Sequence, residues 1–393
     1  RSLTFPAGVL PLIWRGLRAT AAEEVREAET AFGEFFDEEM SAEVFDQLAR
    51  IAAYGLRSRQ YPLFREAAEL ADAARPGGGE ELAACLDLSP VLRRAIPRIP
   101  EWLASFSGGS AAAARLAYKD AVAVSEDAGP RFFEMLAAQM EHPWMVLRII
   151  CEVMDKPNER YLADSEMAGF GERLMDEIDA SLRAIARLDA DGGPEAAREA
   201  GRRVELITLQ ITELETYVDL AKERGWGRRI AKQKASLAGV VEGRIREAEK
   251  YAIQALPTER ARLKHIRRPL PCLGVSPDAR IIRRATTLLT FVQEVRTSAN
   301  YGGFAAARGK MLEAVGEHID SYVDEVVDLL KTGDAEDEAV ALAFLEVAAG
   351  LSLLIRGEKA AELVRRRAAG AVNPEAPQLL DDEPPNPPAE RWG

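Results

Sequence analysis

Histidine, cysteine and aromatic side chains are scarce in this chain, and each shortage removes a class of function. Its 393 residues hold three His, three Cys and 7% Phe, Trp and Tyr. Cys85, Cys151 and Cys272 are odd in number and far apart. Neither a disulfide framework nor a Cys-x-x-Cys metal or redox pair can therefore form between sequence neighbours, and a reducing compartment is the simpler expectation. His142, His265 and His318 each lack a Glu three residues earlier, which the Glu-x-x-His ligand pairs of di-iron helical bundles require. Glu141-His142 and Glu317-His318 are adjacent pairs. Neighbours on a helix point about 100° apart and cannot face one ion, so no metal site and no cofactor are expected.

Other motifs are missing as well. Gly77-Gly78-Gly79 has no Lys-Ser or Lys-Thr after it and no hydrophobic strand before it, so a phosphate-cradling loop is not indicated. There is no Gly-x-Ser-x-Gly elbow, and Cys151, among Ile149, Ile150 and Val153, reads as a small buried hydrophobe. Near the N-terminus the longest apolar stretch, from Val9 to Leu17, is broken by Pro11, Arg15 and Gly16. It falls short of the ~20 residues of a membrane span, and no transmembrane helix is expected. Arg1 stands where Met would, which implies that a preceding segment has been removed, along with any targeting signal.

What is present is helix. Apolar residues make up 47% of the chain, and the 29 Gly and 21 Pro fall mostly between periodic stretches, as helix punctuation does. Val204, Ile207, Ile211, Leu214, Val218 and Ala221 step by threes and fours, which places one stripe along a helix. The pattern recurs at Leu312, Val315, Ile319, Tyr322, Val326 and Leu329, and at Val340, Phe344, Val347, Leu351 and Leu354. Each run is too short for a long dimeric coiled coil, and Gly-bearing turns at 192–194, 224–227, 300–303 and 331–334 would let the next helix fold back. Pro143 should end one helix at His142 and start another. A faint similarity overlays Tyr217-Val218 on Phe291-Val292, a hint of a helical repeat.

The fold class expected is therefore all-α: an array of antiparallel helical hairpins, as a bundle or an irregular α-solenoid. Residues 1–108 are expected to form an N-terminal helical subdomain, 109–371 a helical-hairpin bundle and 372–393 a Pro-rich acidic tail without fixed structure. The Pro-spaced stretch from Ile96 to Leu103 and the Gly pairs around it look like hinges.

One feature of the charge distribution points to function. From Lys222 to Arg284 there are 17 Lys and Arg against 6 Asp and Glu, a local net of +11 in a chain of net charge −13, leaving −24 for the rest. Arg228, Arg229, Lys232, Lys234, Arg267 and Arg268 could converge across a hairpin as a face for an anionic partner. The alternative is that these cations pair with the chain's own acids. An acidic protein or anionic surface is favoured over nucleic acid, because base stacking would have only Trp226 and Tyr251 to use. A second feature is the first helix, where Leu10, Ile13, Trp14 and Leu17 suit membrane or partner docking but suit packing onto the protein body better. The function these features favour is a non-enzymatic helical interaction or scaffold protein, cytoplasmic or membrane-peripheral. The alternatives are a peripheral lipid-binding protein and a helical enzyme whose site assembles from distant residues.

Overall fold

Alanine, leucine, glutamate and arginine favour helix, and the chain they dominate runs from helix to helix with short breaks, from Val9–Thr20 to Glu358–Val372. The structure is a computed structural model that describes residues 3–31, 38–104, 108–154, 157–260 and 269–372. It is all-α. Among the described residues the only ladder is an antiparallel pair of three-residue strands, Thr258–Arg260 with Pro269–Pro271, in which Glu259 faces Leu270. The expected tail beyond Val372 and the cluster holding Arg267 and Arg268 lie outside the described residues.

The helices begin where caps allow. Asp278 accepts from the backbone N–H groups of Arg280 and Ile281 at 2.8 and 3.2 Å, and Asp337 does the same for Ala339 and Val340 at 2.9 and 3.2 Å. These contacts satisfy N–H groups that a first turn leaves without intrahelical acceptors. The expected Gly breaks at 192–194, 224–227 and 331–334 fall at helix ends, while that at 300–303 lies in the connection between Ala279–Glu294 and Ala305–Thr332. Gly333 closes Ala305–Thr332 with φ +76°, a left-handed C-cap that glycine adopts freely. Pro143 corrects the sequence expectation. The preceding helix, Ala128–Ala137, stops well before His142, and Pro143 opens a 3-10 turn, Pro143–Met145, ahead of Val146–Val153. His142 is extended, the conformation that a following proline imposes.

The chain divides into two compact units. The first comprises Arg1–Ile178 and Leu209–Ala231, the second Asp179–Thr208 and Lys232–Gly393. In the first unit Val9, Leu12, Ile13 and Leu17 join Leu56, Phe64, Ala67, Ala68 and Ala71 in one apolar core. Phe64 is seated against Gly55, where a Cβ would come within 2.5 Å of its ring. Burying a side chain of this size stabilises the fold by about 1.5–3 kcal/mol. The boundary expected near residue 108 lies inside this unit, where Gly78–Ala95 packs on both Gly108–Val124 and Ala128–Ala137.

In the second unit Glu338–Arg356 packs against Ala279–Glu294, Ala305–Thr332 and Glu358–Val372. Among the described residues it is the one helix long and apolar enough to cross a membrane by length and composition. Its Phe344, Leu345 and Leu351 belong to the buried core.

Candidate functional site

The residues expected to form a basic face have separate fates. In the first unit, Arg229 donates to Glu172 Oε2 at 3.0 Å and to Asp176 Oδ1 at 2.5 Å, so it serves as a counter-charge for the chain's own acids. Its neighbour Arg228 is exposed and has no ion-pair partner among the described residues. In the second unit Lys232 is exposed, and Lys234 places Nζ 4.7 Å from the centroid of the Tyr301 ring. Arg280 and Arg284, from the same basic stretch, both bind Asp191, at 3.3 and 2.7 Å. Arg244 donates to Glu247 and to the Ala186 carbonyl.

The first helix also divides by face. Ile13 and Leu17 are 5% and 4% exposed, while Leu10 is 66% exposed. Trp14 packs against the core from its edge, with the Arg18 guanidinium 5.8 Å from its ring. Two of the four docking residues are thus part of the protein's own interior.

The structure brings together a different set of cations, within the first unit. Gly78–Ala95 runs into the 3-10 turn Ile96–Arg98 and then the helix Ile99–Ala104. Pro97 and Pro100 occupy the opening positions of the last two, where their missing N–H groups cost no hydrogen bond. The stretch that reads as a hinge in sequence is therefore a re-aimed continuation of helix. Along it Val91, Ala95, Arg98 and Trp102 follow steps of four, three and four. Opposite stand Ala113, Leu116, Ala117 and Asp120 of Gly108–Val124, and between the two rows lies a cleft of about 390 Å3. Ala95, Ala113 and Ala117 leave it room because they stop at Cβ.

The cleft has an apolar floor and a cationic mouth. Arg94 and Arg98 are lining residues. Arg94 reaches Asp120 only at 3.9 Å, with both side chains well exposed, a contact of little energetic weight. Arg98 is exposed and has no carboxylate partner among the described residues. Trp102 is fully buried, and its indole Nε1 has no hydrogen-bond acceptor among the described residues, an arrangement that costs free energy while it stays unmet.

A part-buried ion pair holds this end of the helix in place. Arg148 donates to both oxygens of Glu213 at 2.8 Å, lies 4.9 Å from the Tyr217 ring centroid, and hydrogen-bonds the carbonyl of Leu103, next to Trp102. Hydrogen bonding to Glu213 raises the Arg148 pKa further, against the opposing effect of burial, so the guanidinium stays charged.

The groups most often used in covalent or metal chemistry are placed otherwise. All three cysteines are free thiols, and burial pushes Cys85 and Cys151 up to about 12, which keeps them protonated. Among the described residues no group of three or more His, Cys, Asp and Glu could hold a metal ion. Comparison with family models, curated proteins and solved structures returns no match.

Proposed function

We propose that the protein is a non-enzymatic helical interaction protein whose partner presents an anionic group to the cleft at Arg94 and Arg98. One observation carries this reading: two exposed guanidiniums line one cleft with an apolar floor, Arg98 without a carboxylate partner among the described residues and Arg94 reaching Asp120 only at 3.9 Å. Guanidinium forks match carboxylate and phosphate oxygens in pairs, and the alanine-rich floor favours an acid carried on an apolar body over a free ion. An acidic protein segment fits better than nucleic acid. Trp102 is buried and not free to stack on a base, and a chain of net charge −13 repels a polyanion at long range. Arg228 in the first unit and Lys232 in the second are further exposed cations that would assist attraction.

The test uses a fluorescent peptide of alternating Leu and Glu, titrated against the full chain and against the Arg94→Glu, Arg98→Glu double variant. The expected result is saturable binding that weakens steeply as added salt shortens the Debye length below ~10 Å, and that the double variant loses while melting as the parent does. Anionic vesicles serve as the competing probe for a peripheral membrane role. Equal binding by parent and variant, or a preference for vesicles over peptide, would overturn the proposal.

A further inference from the structure

A second cleft of the first unit carries the opposite charge preference. Its volume is about 420 Å3, within the ~300–1,000 Å3 usual for small-molecule sites. Glu134 reaches it from Ala128–Ala137, Trp144 from the Pro143–Met145 turn, and Phe170, Arg173 and Glu177 from Ala168–Ala186. The last three lie three and four residues apart, so one helical face supplies them. Ala137, Val146, Leu147 and Leu174 complete apolar walls.

The three charges at this cleft do not cancel. Arg173 is already committed: its Nη1 lies 2.8 Å from Glu134 Oε1, and its guanidinium covers the Phe170 ring at 4.7 Å. Glu177 has no ion-pair partner within 4.0 Å among the described residues, and its one hydrogen bond, from Gln210 Nε2, is long at 3.4 Å. One carboxylate, exposed to solvent, therefore lacks a cation partner among the described residues at the edge of an apolar cavity.

We propose that this cleft binds an organic monocation, an ammonium group carried on an apolar or aromatic body, with the charge on Glu177 at the mouth and the body against Trp144 and the aliphatic walls. A monocation brings the three groups and itself to neutrality. A carboxylate ligand would meet two acids, and a neutral ligand would leave Glu177 as it is. Glu177 is exposed as a residue, yet partial desolvation of its carboxyl holds it above its ordinary range, with Arg173 opposing, so a bound cation would relieve that penalty. The site is separate from the Arg94 cleft and does not depend on it.

Titration calorimetry of the full chain at neutral pH and low salt, with 2-phenylethylammonium, 2-phenylethanol and 3-phenylpropionate as probes, decides the matter. In the unmodified protein the ammonium is expected to bind saturably and roughly tenfold or more tighter than the alcohol, since a charge-assisted hydrogen bond is about twice as strong as a neutral one. The carboxylate should bind weakest. Glu177→Gln is expected to bring the ammonium down to the alcohol's affinity and leave the alcohol unchanged, while Trp144→Ala weakens both. Equal affinity for ammonium and alcohol in the unmodified protein, absence of saturable ammonium binding, or a Glu177→Gln variant that keeps the preference would each overturn the proposal.

Discussion

A carboxylate withdrawn from water needs its lone pairs filled, and Glu159, 6% exposed, fills them with main-chain donors. Trp226 N–H reaches Oε1 at 2.6 Å, and Ala221 and Gly227 N–H reach Oε2 at 2.8 and 3.1 Å. Trp226 and Gly227 lie in the first turn of Gly225–Ala255, where N–H groups lack intrahelical acceptors and the helix dipole favours negative charge. Glu159 is thus a cap supplied from a distant part of the chain. Gly225 makes the approach possible: its φ is +53°, and a Cβ there would stand 1.8 Å from Glu159 Oε1. Glu159→Ala leaves three donors unmet, two of them in buried contacts, and at ~1–3 kcal/mol for each buried donor is expected to cost about 2–6 kcal/mol in urea unfolding. Glu159→Gln, which keeps one acceptor oxygen, should fall between. Asp191 gives a pH-dependent counterpart on the second unit. Hydrogen bonds from Arg284, and then from Arg280, hold its pKa down to about 2 from 3.8. A depressed carboxyl pKa stabilises the fold above the unfolded value and stops doing so as pH falls through the folded one. The parent should therefore lose stability between pH 3.8 and about 2 more steeply than Asp191→Asn, and parallel curves for the two would remove Asp191 from the acid limb.

At the scale of elements, the part-buried pair of Arg148 and Glu213 ties Val146–Val153, residues 209–217 and the end of Ile99–Ala104 together through the Leu103 carbonyl. Breaking such a pair on one side strands the other charge. Arg148→Met is expected to cost about 3–5 kcal/mol, whereas Arg148→Met with Glu213→Leu should recover most of that loss, because paired buried charges and apolar replacements often come out nearly even. Urea midpoints of the three proteins check this, and an uncorrected loss in the double variant would show that the Leu103 contact dominates. Neither the pair nor the cleft it supports can be found from the sequence, since each joins residues from separate helices. The helices themselves were legible. Ile207, Ile211 and Leu214 are buried as their spacing implies, as are Val315, Ile319 and Tyr322, because a helical period needs only neighbours in the chain. Val340, Val347 and Leu354 are only partly buried, since a stripe does not reveal how many neighbours will cover it. The hairpin at Thr258–Arg260 was not legible: three-residue strands are too short for alternation, and Pro269 and Pro271 argue against a strand. The cleft's one local signal was the pair Arg94 and Arg98 with Trp102 at helical steps, hidden by prolines that read as a hinge.

For the whole molecule, a basic stretch of net +11 in a chain of −13 can act outward on a partner or inward on its own acids, and the two arginines at its start separate these roles. Arg229 is half-buried between Glu172 and Asp176, while Arg228 is exposed with no ion-pair partner among the described residues. Arg228→Glu and Arg229→Glu each move the net charge from −13 to −15, so the molecule's overall field changes equally in both. Only local pairing differs. Arg228→Glu is expected to leave the urea midpoint within about 0.5 kcal/mol of the parent, as surface changes away from specific contacts do. Arg229→Glu places a third carboxylate beside two others and should cost about 1 kcal/mol or more at low salt, since each exposed pair lost is worth up to ~1 kcal/mol and the repulsion adds to it. Added salt should shrink that cost by screening. The association rate with the acidic peptide should respond in the opposite order, falling further for Arg228→Glu, because an unpaired charge contributes more to long-range steering than one already neutralised by its neighbours. Equal stability losses in the two variants would mean that net charge rather than pairing sets the outcome, and that Arg229 is no more a counter-charge than Arg228.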